Sequence, residues 1–409
     1  MTPPFKILLF DIDSVLVEPL GYRAALMATL QHFADNLGIS RSILPDVDTI
    51  EYFEAKHITS EWDMAPIVLA ILLNCLVGMS IDIHLPSSLD ELHRIEFPHD
   101  LTGVDYRETI DYISEHLANG EFPATTALRF SGPHRSPHGS QHPGIFPHIA
   151  RTDILGEILS TTRDPYRSII TRIFQHHTLG SQVFSQVYGL APEIEASSTL
   201  LACDKPLLPR DMRESLISKY NSGELAIAAI TNRPSYPPRE VSDSKLGYPP
   251  EAEMALELNG LRQIPLIGFG RLRYVAEQLD LDTEAFLKPS PVHILSAIFT
   301  AITGLEYDSI EFAAQYVNEI PPGRGLAITP ELNQIISELP GEIHVHVYED
   351  TRWGIDAAFQ ASKILGSAGI SNHIYPWGIA NNHQKVSALK KAGAEVFPNI
   401  SEALRYSVL

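Results

Sequence analysis

Four short apolar runs set the tightest limit on how this chain can fold. They are residues 6–10 (KILLF), 225–230 (LAIAAI), 343–348 (IHVHVY) and 371–380 (SNHIYPWGIA), and each leads into polar residues. Runs this short, and apolar on both sides, suit strands of a parallel sheet that is covered on both faces. Helical patterns lie between and after them, among them GIDAAFQASKILGSAG from Gly354 and QKVSALKKAGAEV from Gln384. The second ends on Lys390, Lys391 and Gly393, a basic last turn followed by a helix stop. Strands alternating with helices predict a doubly wound α/β, Rossmann-like parallel sheet. Ligands of such sheets gather beyond the carboxyl ends of the strands, so the polar endings are the candidate site.

The spacing of the runs is uneven. The first strand region ends near residue 17, and the next clear strand begins only near residue 225. The stretch between them is rich in helical patterns such as YRAALMATLQHFADNLGI and DPYRSIITRIFQHHTLGSQVFSQVYGL. This predicts a discontinuous core, residues 1–17 and 205–409, with a large, mostly helical domain of residues 18–204 inserted after the first strand. Inside the insertion, residues 129–150 form a Pro/Gly/His-rich stretch that reads as a loop. The apolar residues 64–81 approach membrane-spanning length. Pro66, Asn74 and Ser80 interrupt them and Asp63 and Asp82 flank them, so a buried helix is expected rather than a membrane span.

Charge narrows the partners. The 30 basic and 50 acidic residues leave a net charge of −20, which disfavours nucleic acid or an anionic membrane as partner. A small anionic substrate needs only a local positive pocket or a metal. The two cysteines, Cys75 and Cys203, lie beside apolar residues and read as free buried thiols in a reducing, cytoplasmic setting. The start, MTPPFKILLF, lacks a basic region followed by a long apolar stretch, so no signal peptide is expected.

Chemistry concentrates at the strand ends. Asp11 and Asp13 follow the first run, and on an extended chain their carboxylates share one side. Like charges so close need a cation or a shared proton, and aspartate is also a nucleophile toward phosphoryl groups. Thr231 ends the second run; its hydroxyl and the following backbone N–H at Asn232 suit a phosphate oxygen. Lys288 precedes Pro289, which restricts its backbone to an extended form. Glu349 and Asp350 end the third run as a second acidic pair. Hard oxygen donors from two strand ends suit Mg²⁺.

This ordered set resembles the haloacid dehalogenase-like superfamily of phosphatases and phosphomutases. The first-strand DxDx(T/V) pattern is met by Asp11-Ile12-Asp13-Ser14-Val15, followed in order by Thr231, Lys288 and the pair Glu349-Asp350. EDTRWGIDAAFQA looks like the form found in the sugar-phosphate mutase and phosphoglycolate phosphatase branch. The resemblance implies a helical cap, a Mg²⁺ cofactor, and hydrolysis of a small phosphorylated metabolite through an aspartyl-phosphate on Asp11. It implies that Asp13 protonates the leaving oxygen and then activates water, and its presence argues against carbon–halogen cleavage. Thr231, Asn232 and Lys288 would hold the phosphate; Asp11, the backbone carbonyl of Asp13, Asp350 and Glu349 would hold the metal. Two departures stand out: Ser14 where glycine is common, and long stretches between Thr231, Lys288 and Glu349. Phosphomutase or phosphotransferase activity on a sugar phosphate is the nearest rival, and a non-catalytic binding or regulatory protein that keeps the site is another.

Other residues carry less. His134, His138, His142 and His148 invite a zinc reading, but a Pro-rich loop without cysteines sets no ligand geometry. His344 and His346 alternate on one strand as sheet-face residues, and His176 and His177 fall in a helical pattern. Trp62 and Asp63 read as a helix start, and Arg233 either touches substrate or forms a structural ion pair.

Overall fold

The computed structural model describes residues 5–79, 85–86, 88–95, 103–118, 120–135, 140–241, 245–318 and 342–408. The chain forms two compact units: residues 1–20 with 203–409, and residues 21–202. The expected breaks were 17/18 and 204/205.

The first unit is an α/β fold around one parallel sheet. Outside this sheet, β2 (Val17–Glu18) pairs with β5 (Lys205–Pro206) and β3 (His134–Arg135) with β4 (Gln141–His142). The strands of the sheet are β1 (Phe5–Asp11), β6 (Leu225–Ile230), β7 (Leu266–Ile267), β8 (Ile343–Glu349), β9 (Asn372–Ile379) and β10 (Glu395–Phe397). They lie side by side in the order β10-β9-β8-β1-β6-β7, every neighbouring pair parallel. Numbered by sequence among themselves, that is 6-5-4-1-2-3, the doubly wound arrangement whose strand order reverses beside the first strand. Here the reversal falls between β1 and β8. Two strands of this sheet have no counterpart among the expected apolar runs. β7 has two residues, and β10 has three partly exposed ones behind a helix, so neither makes an apolar run.

Burial on both faces follows from the side-chain alternation of a strand. Ile7 and Leu9 point to one face, with Ala228, Ile230, Val345 and Val347, under the helices Phe269–Gln278, Pro291–Thr303 and Arg352–Ser367. Leu8 and Phe10 point to the other, with Ile227, Ala229 and Tyr348, under the helices Arg210–Asn221, Glu251–Leu258 and Ile400–Ser407. The helix Pro291–Thr303 shows its local logic plainly. Ser290 caps it by accepting from the Val292 N–H at 3.3 Å, Pro291 opens it, and Gly304 at φ 75° stops it. The helix Glu251–Leu258 lies in a stretch beyond a minimal core of the resembled family, and it covers the sheet with Ala252, Ala255 and Leu256. Part of the second long stretch, residues 319–341, lies outside the described residues.

An aromatic ladder lines β8 and β9. His346 stacks on Tyr375 at 4.8 Å between ring centroids, and Tyr375 is parallel to Trp377. Trp377 Nε1–H donates to His346 Nδ1 at 3.1 Å, which places the ring proton on Nε2. His344 and His346 are therefore sheet-face residues. Burial pushes the His346 imidazole down to about 4, with Lys6 and His344 adding to the effect. The unfolded chain binds this proton near its ordinary value, so stability is full above about pH 6.5 and declines as pH falls toward 4. His346→Phe should flatten the acid limb of Tm against pH between those values; an unchanged slope would show that His346 does not set it.

The second unit is helical. Helices Leu20–Asn36, Val47–Ala55, Glu61–Gly78, Arg107–His116, Asp153–Ser160 and Ile169–Leu179 pack around Leu26, Leu30, Phe33, Ile67, Leu72, Ile110, Ile154 and Phe174. Glu61–Gly78 is long and apolar enough to cross a membrane, yet Met64 to Leu73 are buried among the neighbouring helices. Residues 80 and 81 of the expected helix lie outside the described residues. Trp62 and Asp63 lie within its first turn. Asp63 is fully buried, accepting from the Ala124 N–H at 3.3 Å and paired with Arg163 at 2.6 Å.

The His-rich stretch carries a two-strand ribbon, β3 (His134–Arg135) against β4 (Gln141–His142), rather than only a loop. His134 Nδ1–H donates to the Gly132 carbonyl at 2.9 Å, and its Nε2 accepts from the Tyr112 hydroxyl at 2.6 Å. That leaves His134 no lone pair for a metal. His138 lies outside the described residues. His176 is buried in its helix against Phe184 and contacts Glu193 at 2.9 Å, a packed role rather than a ligand's.

Candidate active site

The carboxyl ends of β1 and β8 meet at the switch point. The register sets Phe10 beside Tyr348, so Asp11 and Glu349 end their strands side by side. Asp350 follows directly, and one oxygen from each of Asp11, Glu349 and Asp350 lies within 4.8 Å of the others. All three are buried. Lys288 reaches the same place from the turn before the helix Pro291–Thr303, and the Lys288–Pro289 peptide that follows it is cis. Its ammonium donates to Asp11 Oδ1 at 2.8 Å and is also paired with Glu349.

Burial and crowding govern the charges. Burial first, then Glu349, pushes the Asp11 carboxyl well above the usual carboxylate range; Lys288 pulls it down, while Asp350 and Asp13 add to the rise. Glu349 is raised by burial as well, against the pull of Lys288. Burial works against the Lys288 charge, but Asp11 and Glu349 outweigh it and hold the ammonium above its ordinary range. Lys385 adds a second cation, 2.5 Å from Asp350. Two lysines thus face three carboxylates. A small divalent cation suits the remainder: the donors are all hard carboxylate oxygens, and the upward push on Asp11 by like charges is what such a cation offsets.

The helix Arg352–Ser367 shapes the acidic pair. Thr351 caps it, accepting from the Gly354 N–H at 3.3 Å and donating its hydroxyl to Glu349 Oε2 at 3.0 Å. A Cβ on Gly354 would fall 2.0 Å from the Glu349 carboxyl carbon. Glycine is therefore required there by close approach, not by backbone conformation. Gly354→Ala should expel the Glu349 carboxylate from its place and weaken divalent-cation binding at the cluster by about ten- to hundredfold. Mg²⁺ titration of the purified variant, read by Tm, should show weakened stabilisation; wild-type stabilisation would sink the idea.

Asp13 behaves differently from the extended-chain expectation. The strand stops at Asp11, Ser14 adopts φ 61°, and Ser14 N–H donates to the Val17 carbonyl at 2.8 Å. The left-handed conformation at Ser14 gives the physical reason why glycine suits this position. The turn separates the two aspartates: the Asp13 carboxylate is not in the acidic cluster but in the grip of Arg233, with contacts at 2.6, 2.9 and 3.1 Å. Arg233 is thus an ion-pair residue, and it also donates to Asp204 at 3.0 Å.

Thr231 is buried one residue beyond β6. Its N–H donates to Ile267 of β7 at 3.0 Å, and its hydroxyl oxygen accepts from the Arg233 N–H at 3.1 Å. The hydroxyl proton is the donor that Thr231 still offers, and of the following backbone donors the Arg233 N–H is taken by its oxygen. Asn232 is exposed beside it. The structure therefore brings together Asp11, Lys288, Glu349 and Asp350, with Asp13 and Thr231 joined through Arg233. Lys385, Asp204 and the packing role of Gly354 were missed. Gly354 stood in a quoted motif; Lys385 and Asp204 had no local signal, because their partners lie 35 and 29 residues away in the chain.

No family model matches the chain, and no curated protein matches it. Among solved structures, the X-ray structure of a Northeast Structural Genomics Consortium target is similar, at 15% identity and a TM-score of 0.54, covering 99% of each chain. At that identity the likeness speaks for the fold: an α/β protein with a parallel sheet and many helices.

Proposed function

We propose that this protein is a phosphatase that hydrolyses a small phosphorylated metabolite through an aspartyl-phosphate on Asp11. The observation that carries the reading is the meeting of Asp11, Lys288, Glu349 and Asp350, from three separate stretches of chain, at the switch point of the sheet. Asp11 attacks phosphorus, while Lys288 lowers the repulsion between its carboxylate and the phosphate dianion. Asp13 gives a proton to the departing oxygen and later takes one from the attacking water. Thr231, with the Asn232 backbone, and Lys288 hold phosphoryl oxygens. Asp11, Glu349 and Asp350 are the side chains that would hold Mg²⁺, which when bound supplies charge neutralisation for the phosphoryl group. A cytoplasmic setting belongs to the same reading, and the free thiols of Cys75 and Cys203 suit it.

The test is phosphate release with Mg²⁺ across a panel of phosphorylated metabolites, wild type against Asp11→Asn. Turnover that depends on Asp11 is expected for at least one member. Transfer to a second sugar hydroxyl in place of water would make the protein a mutase, and no Asp11-dependent turnover would leave a binding role.

A further inference from the structure

Arg233 lies where substrate was one of its two expected partners, yet it is 3% exposed and its guanidinium is committed to protein carboxylates. Its Nε–H donates to Asp13 Oδ1 at 2.9 Å and Oδ2 at 3.1 Å, and its Nη2–H donates to Oδ1 at 2.6 Å. Its Nη1–H donates to Asp204 Oδ2 at 3.0 Å, and the Asp204 side chain is 1% exposed. The backbone is pinned as well, through its N–H to the Thr231 hydroxyl and its carbonyl to the Phe269 N–H at 3.1 Å. Asp13, by contrast, is 35% exposed in its side chain and stands on a tight turn beyond β1. A carboxylate there would rotate freely. The planar fork of an arginine fixes its plane, and an anchored arginine fixes it in space.

We infer that Arg233, held by Asp204, is the residue that positions Asp13 for proton transfer. The inference rests on the phosphoryl-transfer reading above. Oδ1 accepts two donors, whereas Oδ2 takes the long 3.1 Å contact, so Oδ2 is the oxygen placed to carry the proton. In the first half-reaction the bond from phosphorus to the ester oxygen breaks and the bond to Asp11 forms. The Asp13 proton goes to the departing oxygen. In the second half-reaction water oxygen bonds to phosphorus, its proton goes to Asp13, and the bond to Asp11 breaks. Asp13 ends as it began. Arg233 touches none of the reacting atoms; it is a positioning residue. Buried ion pairs are also costly to desolvate, so a purely structural role would be served as well by an apolar side chain.

A leaving-group series separates positioning from folding, because an activated phenolate departs without help and a poor leaving group does not. Arg233→Met combined with Asp204→Asn removes both charges, so no buried carboxylate is stranded at residue 204. This double variant should lose about a hundredfold in kcat on phenyl phosphate but less than about fivefold on p-nitrophenyl phosphate, with KM unchanged. Arg233→Lys should recover part of the phenyl phosphate activity. Equal losses on both substrates, or none, would overturn the inference while leaving the phosphatase reading intact. Absence of Asp11-dependent release in the wild-type protein from both aryl phosphates and from every member of the metabolite panel would overturn both together. Should the double variant show no cooperative unfolding, Asp204→Asn alone carries the same test. It should show the same bias at about tenfold, and an unbiased loss would again overturn the inference.

Discussion

Asp11→Asn should lower phosphate release by three decades or more and, at the same time, raise the unfolding temperature. The first effect follows from the proposed role of Asp11 as covalent nucleophile, without which binding and electrostatics alone leave a small residue of activity. The second follows from where the carboxylate sits. Burial, Glu349, Asp350 and Asp13 all disfavour its charge, and Lys288 alone favours it. Because the folded-state proton affinity is raised, the ionised form carries a penalty that is absent below about pH 4 and grows as pH rises above it. Asparagine keeps the shape and removes the charge. With divalent cations chelated, the variant should melt higher at pH 7 by a few degrees, and the gap should close toward pH 4. An active variant would end the nucleophile assignment. A variant that is less stable at neutral pH would show that the Lys288 pair outweighs the crowding of carboxylates.

The largest loss of stability is expected from Glu306→Ala. Glu306 is fully buried and binds four donors: Arg271 Nε at 2.7 Å, Arg239 Nε at 3.3 Å, the Arg239 N–H at 2.9 Å and the Leu266 N–H at 3.2 Å. Arg271 is itself buried, with Glu253 as its other carboxylate at 2.6 Å. Truncating Glu306 leaves a buried guanidinium half-paired and strands a backbone donor at the start of β7. Breaking a buried pair from one side typically costs about 3–5 kcal/mol, and in a unit of this size that lowers Tm by on the order of 10 °C. Glu306→Gln keeps one acceptor oxygen, which serves only one of the two backbone donors because they bond different carboxylate oxygens; it should lose less than alanine but more than a fully satisfied site would. β7 is where Thr231 is tethered, so under the proposed function the alanine variant should also weaken phosphate binding. Thermal unfolding of both variants checks this; equal, small losses would show that Glu253 alone satisfies Arg271.

Arg271, Glu253 and Glu306 show what a sequence hides. They lie in three helices and attract no notice as a pattern, because charged residues on helices usually face water. Lys385 and Asp204 are of the same kind. An ion pair across the fold has no period and no spacing, so only the packing of elements reveals it. The turn at Ser14 belongs here too: an extended chain would have set Asp11 and Asp13 on one side, and the left-handed residue separates them.

What the sequence by itself determined is the architecture and where the polar strand ends gather. Apolar runs such as LAIAAI bury on both faces only inside a parallel sheet, and helices between them force a doubly wound order. Polar residues at their ends then fall at the carboxyl edge whatever the details. The tertiary structure decided the partnerships: which carboxylates share a lysine, that Asp13 turns to Arg233, and that Gly354 leaves room for Glu349. These depend on distances of a few ångströms between residues far apart in the chain, which close packing sets and local propensity does not.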